Sequence, residues 1–108
     1  MLRRALLTLA FAVLVLSPRA EKHIRDRHFP EGRHTRGKSV FLKDTNLQEL
    51  LKLAEKEKPF RQKNGRDKRV ADAGRVIGTD GRGKKPVKTF VTISEPEDGA
   101  VITMYPGN

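Results

Sequence analysis

The sequence predicts a small α+β fold in which N-terminal helices pack on an antiparallel sheet of three to four strands. Near the middle of the chain, apolar residues recur with helical spacing. From about residue 69 the pattern changes to short runs rich in β-branched residues. Helices followed by consecutive strands are typical of the α+β class, and 108 residues allow a single domain.

The first 20 residues have the pattern of a secretory signal peptide. Arg3 and Arg4 precede the apolar run 5–16. As a helix this run spans about 18 Å at ~1.5 Å per residue, less than a hydrocarbon core of roughly 30 Å, which favours export over anchoring. We therefore expect a signal peptide over 1–20, a mature domain over 21–108, a secreted or periplasmic location and no stable membrane association after cleavage. An uncleaved anchor and a misplaced start codon are the alternatives, because Pro18 occupies the −3 position of a cut after Ala20.

Composition narrows the class of protein. The chain has no cysteine, which excludes disulfides, a cysteine nucleophile and thiolate metal sites. Its net charge is +10, and residues 21–108 keep +7 because Arg3, Arg4 and Arg19 precede them while every acidic residue follows Ala20. A positive field is most effective against a polyanion, since binding releases condensed counterions. Nucleic acid is therefore the first partner to consider, ahead of acidic protein or anionic lipid.

Two helices are expected before the sheet. A short one covers about 21–28 and is followed by a loop that the apolar cluster 40–42 anchors to the core. The second runs from about Asn46 to Glu57, where apolar residues at i, i+3, i+4 and i+7 form one face. Thr45 and Gln48 have the spacing of a capping box at its start, and Pro59 follows its end.

The second half of the chain predicts strands. A basic connector over 60–69 with an Asn-Gly turn precedes a weak strand over 69–77, a strong strand over 87–94 and a closing strand over 100–105. The last two form a hairpin, and the weak strand pairs beside them. The segment 78–85 resembles a phosphate-binding loop, but Lys85 stands where Ser or Thr would hold magnesium, so we interpret it as a wide basic hairpin connection.

The segment 22–39 concentrates candidate catalytic groups, since it holds all three histidines with four arginines and two lysines. Imidazoles exchange protons near neutral pH, and cations stabilise charge that develops on a phosphate. Metal-free RNA cleavage requires these two kinds of group, a proton-transfer group and a cation. The alternatives are a solvated basic arm and a zinc site, although the spacing of His23, His28 and His34 matches no standard zinc motif.

The closing strand offers a second set of polar groups. Thr103 and Tyr105 alternate with Ile102 and Met104, so they project from one face. A hydroxyl and a phenol can donate to a phosphate, and the tyrosine ring can stack on a base. The alternative is a half-buried strand whose polar face meets water.

In order, "HIRDRH", "GKSVF", an amphipathic helix, "GRVIG", "VKTFVTIS" and "VITMYP" resemble the C-terminal ribonuclease domains of bacterial polymorphic toxins and contact-dependent inhibition systems. These domains belong to the barnase–EndoU–colicin–RelE class, and the resemblance covers about 22–106. It implies helices before a four-stranded antiparallel sheet and a metal-independent endoribonuclease without a cofactor, with RNA, including transfer RNA, as substrate. It also implies an acidic immunity protein as partner. We expect a monomer.

The resemblance also implies roles for individual residues. His23 and His28 correspond to the acid and base, with His34 as the alternative to His28. Lys38 would stabilise the phosphorane, and Thr103 with Tyr105 would position phosphate and base. Together with the basic loops, the expected RNA-binding residues are Arg27, His34, Arg36, Arg66, Lys68, Arg69, Arg82, Lys84 and Lys85.

Two functions of other classes remain open at this point. A non-catalytic exported nucleic-acid-binding protein needs only the charge and the basic loops. A periplasmic metal-binding protein needs the histidines.

Overall fold

The structure, a computed structural model, describes residues 13–82 and 84–108. Over these residues it is an α+β fold of two helices and seven strands, so the predicted class is confirmed. In chain order the elements are α1 (Pro18–His28), β1 (Val40–Phe41), α2 (Leu47–Ala54), β2 (Phe60–Arg61), β3 (Asp67–Asp72), β4 (Gly78–Thr79), β5 (Pro86–Val87), β6 (Thr89–Ser94) and β7 (Val101–Pro106). No helix in the described part of the chain is long and apolar enough to cross a bilayer.

Helix α1 begins earlier than predicted. The predicted start was about residue 21, but Ser17 is the N-cap, and its hydroxyl accepts a hydrogen bond from the Ala20 amide at 3.1 Å. Pro18 fits the first turn because the amide hydrogen it lacks has no partner there. The helix ends before Phe29, whose extended backbone suits the residue preceding Pro30.

Residues 14–17 take part in the fold although they fall within the predicted leader. Leu14 is 7% exposed and belongs to the core, and the Val15 backbone bonds to Gly99 and Val101 at 2.9 Å each. The predicted boundary after Ala20 therefore lies inside α1. The predicted positive start and most of the apolar run lie outside the described residues.

Helix α2 forms where the apolar period predicted it, but with a different cap. Asn46, rather than Thr45, is the N-cap, and its side-chain oxygen accepts from the amides of Gln48 and Glu49 at 2.9 and 3.2 Å. Thr45 is buried instead, with its hydroxyl 3.5 Å from the Ile77 carbonyl oxygen. The predicted capping box is therefore wrong, and the helix ends at Ala54, three residues short of the expected end.

The main sheet has four antiparallel strands in the order β2-β3-β6-β7. The predicted closing hairpin is confirmed by β6 and β7, and the predicted weak strand pairs beside it as β3, which covers Asp67–Asp72 rather than 69–77. Strand β2 comes from the basic connector, which folds back on β3 through a turn at Gly65, where φ is +88°. A second sheet has the order β1-β4-β5, and its β4–β5 pair makes the predicted hairpin connection over 78–85.

The two faces of the main sheet have different roles. One face packs on the helices, where Ala71, Phe90 and Met104 join Ile24 and the leucines of α2 in the core. The opposite face, which we call the outer face, carries two cross-strand rows set by the strand register. The first row is Phe60, Lys68, Ile93 and Thr103, and the second is Val70, Val91 and Tyr105.

A buried hydroxyl in the core offers a test of this packing. Thr92 is fully buried, and its side-chain oxygen has no hydrogen-bond partner among the described residues. Because an unpaired buried polar group costs free energy, Thr92→Val should raise the free energy of unfolding in urea by about 1 kcal/mol. Thr89→Val is the matched control, since the Thr89 hydroxyl donates to the Gly107 carbonyl at 3.2 Å, and it should lower the same quantity by about 1 kcal/mol. Equal losses in both variants would contradict the assignment.

Candidate functional site

The last turn of α1 meets the closing strand of the sheet. Helix α1 packs against β7, and the rings of His28 and Tyr105 lie 5.6 Å apart between centroids, tilted by 32°. Residues 77 positions apart in the sequence therefore share one place on the surface. Of the three histidines, His28 is the one shown against the closing strand.

The ring of His28 is held in a defined orientation. Its Nδ1 lies 2.9 Å from the Ser39 carbonyl oxygen. A carbonyl oxygen only accepts hydrogen bonds, so in the neutral ring Nδ1 carries the hydrogen and Nε2 keeps its lone pair. An imidazole fixed in this way presents Nε2 as a proton acceptor.

The surroundings of His28 favour its neutral form. Burial is the largest effect and lowers the pKa of His28 below its ordinary value of 6.5. The hydrogen bond with the Ser39 carbonyl opposes it, and the charges of Lys38, His23 and Arg27 add smaller lowering effects. A base that is neutral at pH 7 is ready to take a proton.

A backbone contact joins the Lys38 segment to the basic loop between β4 and β5. A Cβ built on Gly81 would lie 2.8 Å from the Gly37 carbonyl oxygen and 3.1 Å from the Lys38 carbonyl carbon. Only a residue without a side chain allows the two backbones to approach so closely. This contact places the loop that carries Arg82, Lys84 and Lys85 beside Lys38 and Arg36.

The closing strand presents its two polar groups as the alternation predicted. Thr103 pairs with Ile93 and Tyr105 with Val91, so both side chains lie on the outer face. Burial raises the pKa of the Tyr105 phenol above 10.0. Its hydroxyl is therefore protonated at neutral pH and can donate a hydrogen bond.

The other two histidines border a separate groove. The groove has a volume of about 580 Å³, and its lining includes His23, His34, Lys22 and Arg33 but not His28. Burial lowers the pKa of His23, Arg27 lowers it further, and Asp26 opposes both effects. His23 therefore borders the groove, on the same helix as His28.

His34 is engaged elsewhere. Its Nδ1 lies 2.6 Å from a carboxylate oxygen of Asp26, and its side chain is 67% exposed. The hydrogen bond from His34 is the main reason that the pKa of Asp26 is lowered. Of the two alternatives left open by spacing, His28 is the one that touches the closing strand.

Three of the expected RNA-binding residues lie toward the other end of the sheet. Arg66 pairs with Glu95 at 3.7 Å, and Lys68 lies on the outer face. Arg69 is 6% exposed, and its guanidinium donates to the Glu57 carbonyl and the Ser94 hydroxyl at 3.2 Å each. The prediction for Arg69 is wrong, because its side chain is buried between the end of α2 and the sheet.

Sequence reasoning missed two features of this region. The Ser39 carbonyl that orients His28 has no sequence signal, because any residue supplies a carbonyl. Phe60 is 69% exposed on the outer face. Its signal was a lone aromatic residue at the start of the basic connector, which we interpreted only as a linker.

Comparisons with known proteins add no assignment. No protein-family model matches the chain, and no curated protein has a significantly similar sequence.

Proposed function

We propose that this protein is a metal-independent endoribonuclease, similar to the toxin domains of the barnase–EndoU–colicin–RelE class. The observation that carries the proposal is the contact of His28 with Tyr105, in which Nδ1 is bound by the Ser39 carbonyl and Nε2 remains available. A structural histidine needs only the first bond. A lowered pKa, a neighbouring lysine and an adjacent phenol are the further features expected of a proton-transfer site.

The reaction that fits these groups is transesterification. His28 Nε2 takes the proton of the ribose 2′-hydroxyl, and the 2′-oxygen attacks the neighbouring phosphorus. The bond from phosphorus to the 5′-oxygen then breaks, which leaves a 2′,3′-cyclic phosphate and a 5′-hydroxyl. The leaving oxygen takes its proton from a second group, for which His23 is the candidate, because it lies on the same helix as His28 and borders an open groove.

Three other side chains would stabilise the transition state. The ammonium of Lys38 neutralises charge that develops on the phosphorane oxygens. The Tyr105 hydroxyl and the Thr103 hydroxyl, two residues apart on the same face, donate hydrogen bonds to a non-bridging oxygen. Arg27, Arg36 and the β4–β5 loop supply the surrounding positive charge that attracts the RNA backbone.

The location and the partners follow from the same proposal. An exported toxin-like enzyme explains the leader-like start of the chain, and an acidic immunity-type protein would complement its basic surface. A protein that only binds nucleic acid would share the charge, but it would not need a neutral, oriented imidazole.

The experiment is digestion of RNA in EDTA with chromatographic identification of the product ends. We expect cleavage that leaves 2′,3′-cyclic phosphates, and we expect His23→Ala and Thr103→Ala to slow it by roughly 10-fold or more. Thr103→Ser is the matched control, since it keeps the hydroxyl. Cleavage that is equally fast in both alanine variants, or no cleavage by the wild-type protein, would overturn the proposal. Salt-dependent binding without cleavage would favour the non-catalytic alternative.

A further inference from the structure

We propose that the outer face of the sheet binds a single-stranded segment of RNA beside the scissile phosphate, with one base stacked on Phe60. The inference rests on the proposed function in that RNA is the ligand, and it adds a binding site at the edge of the sheet away from His28. Phe60 has no place in the cleavage chemistry described above.

The strand register places Phe60 and the candidate site on one surface. Phe60 is opposite Lys68 on β3, which is opposite Ile93 on β6, which is opposite Thr103 on β7. The ion pair of Arg61 with Asp67 at 2.6 Å fixes this assignment, because Asp67 is buried on the helix side of the sheet and Arg61 must share its face. Phe60, the preceding residue, therefore projects from the outer face.

The separation suits a short stretch of nucleic acid. Three strand-to-strand steps of about 4.8 Å place Phe60 roughly 14 Å from Thr103. Lys68 and Ile93 lie between them in the register, and Ile93 is only 8% exposed, so a strand crossing the sheet would meet the Lys68 cation before it reached the Thr103–Tyr105 pair.

The exposure of Phe60 is not explained by the packing of the fold. A single exposed apolar residue is common on protein surfaces, but Phe60 is 69% exposed on a two-residue edge strand. Its sequence neighbours Lys58 and Lys63 are basic, and so is its cross-strand partner Lys68. An aromatic ring within a basic groove is the arrangement by which proteins bind single strands, since any base can stack on it.

The positive charge around Phe60 favours nucleic acid over an apolar protein partner. The exposed Phe60 ring favours a single strand over a duplex. Bases of an RNA duplex are stacked on one another and do not offer their faces to a side chain. A single strand does. The partner is therefore unpaired RNA, and RNA binding that does not depend on Phe60 would count against it.

The test is fluorescence anisotropy with a short single-stranded RNA carrying 2′-fluoro riboses, which the proposed reaction cannot cleave because the 2′-hydroxyl is absent. Phe60→Ala should raise Kd about 5- to 150-fold, as expected for loss of one stacked base. Phe60→Tyr should keep Kd within about threefold, since the ring is retained. Leu42→Ala is the matched control, because Leu42 is also an exposed apolar residue, at 49%, and it should leave Kd unchanged.

The salt dependence separates stacking from phosphate contact. Phe60→Ala should leave the slope of log Kd against log salt unchanged, whereas Lys68→Gln should reduce it by about one. Unchanged Kd in Phe60→Ala overturns the inference. Equal losses in Phe60→Ala and Leu42→Ala, equally tight Phe60-dependent binding of a duplex, or no binding of the RNA by the wild-type protein also overturn it. Phe60-dependent binding without cleavage of ordinary RNA would support this inference while overturning the nuclease proposal.

Discussion

Replacement of His28 by alanine is expected to lower kcat/KM for RNA cleavage by about 10²- to 10⁴-fold, the usual contribution of a general base. The reason is geometric. Nδ1 is bound to the Ser39 carbonyl, so Nε2 is the nitrogen that can accept a proton beside Tyr105. The measurement is initial-rate cleavage of a fluorogenic oligoribonucleotide in EDTA.

His28→Gln separates the chemistry from the support that His28 gives to the fold. Its amide can still donate a hydrogen bond toward Ser39, but it has no basic nitrogen. We expect His28→Gln to be nearly as inactive as His28→Ala while its free energy of unfolding stays closer to that of the wild-type protein. His34→Ala should lose far less activity, because that side chain is exposed and bonded to Asp26. Wild-type rates in His28→Gln would show that His28 is not the base.

The pH dependence of kcat/KM of the wild-type protein tests the role of His28 independently of the variants. Because the pKa of His28 is lowered, its base form is lost only below pH 6.5, so the fall of kcat/KM on acidification should lie below that value. The pKa of His23, the candidate acid, is lowered as well, so kcat/KM should also fall on the alkaline side, where His23 loses its proton. Stability should also fall on acidification. The unfolded chain binds a proton at an ordinary pKa of 6.5 while the folded chain resists it, so stability falls as pH decreases through the folded pKa of His28. The His28→Gln variant should lack this part of the pH dependence of unfolding.

The elements with strong periodicity were predictable from the sequence. The apolar repeat located α2, and β-branched runs located β6 and β7. The ends were harder, because capping depends on which of two adjacent polar residues faces the free amides. Asn46 caps α2 since Thr45 is buried beside Ile77, and that burial is a tertiary effect.

The sequence identified the candidate residues of the site, but it did not show which histidine lies at the closing strand. Spacing placed three histidines in one segment, and it could not separate His28 from His34 because the choice depends on the path of the loop. That loop brings the Ser39 carbonyl to His28 and the Asp26 carboxylate to His34. The prediction that Arg69 binds RNA failed for a related reason. A basic residue next to a basic turn is expected to be exposed, but the register of β3 places Arg69 on the buried face of the sheet.

A chain that begins at Glu21 is expected to be less stable than one that begins at Val13, by several kcal/mol. The shorter chain loses the buried side chain of Leu14, for which loss of a core leucine typically costs about 2–5 kcal/mol. It also loses the Val15 backbone bonds to Gly99 and Val101, and the Ser17 cap, for which about 1 kcal/mol is typical. The measurement is urea denaturation of both chains under the same conditions.

Two point variants assign this loss to its sources. Leu14→Ala tests the core contact and Ser17→Ala tests the helix cap, each in the longer chain, and Val13→Ala is the matched control because Val13 is 75% exposed. If the two chains unfold at the same urea concentration, residues 13–20 contribute nothing, and cleavage after Ala20 is compatible with the fold. If the shorter chain is less stable by the amount expected, a cut there would remove a core side chain and the first turn of the helix that carries His28. Retention of residues 13–20 would then be needed to hold α1, and with it His28, in place.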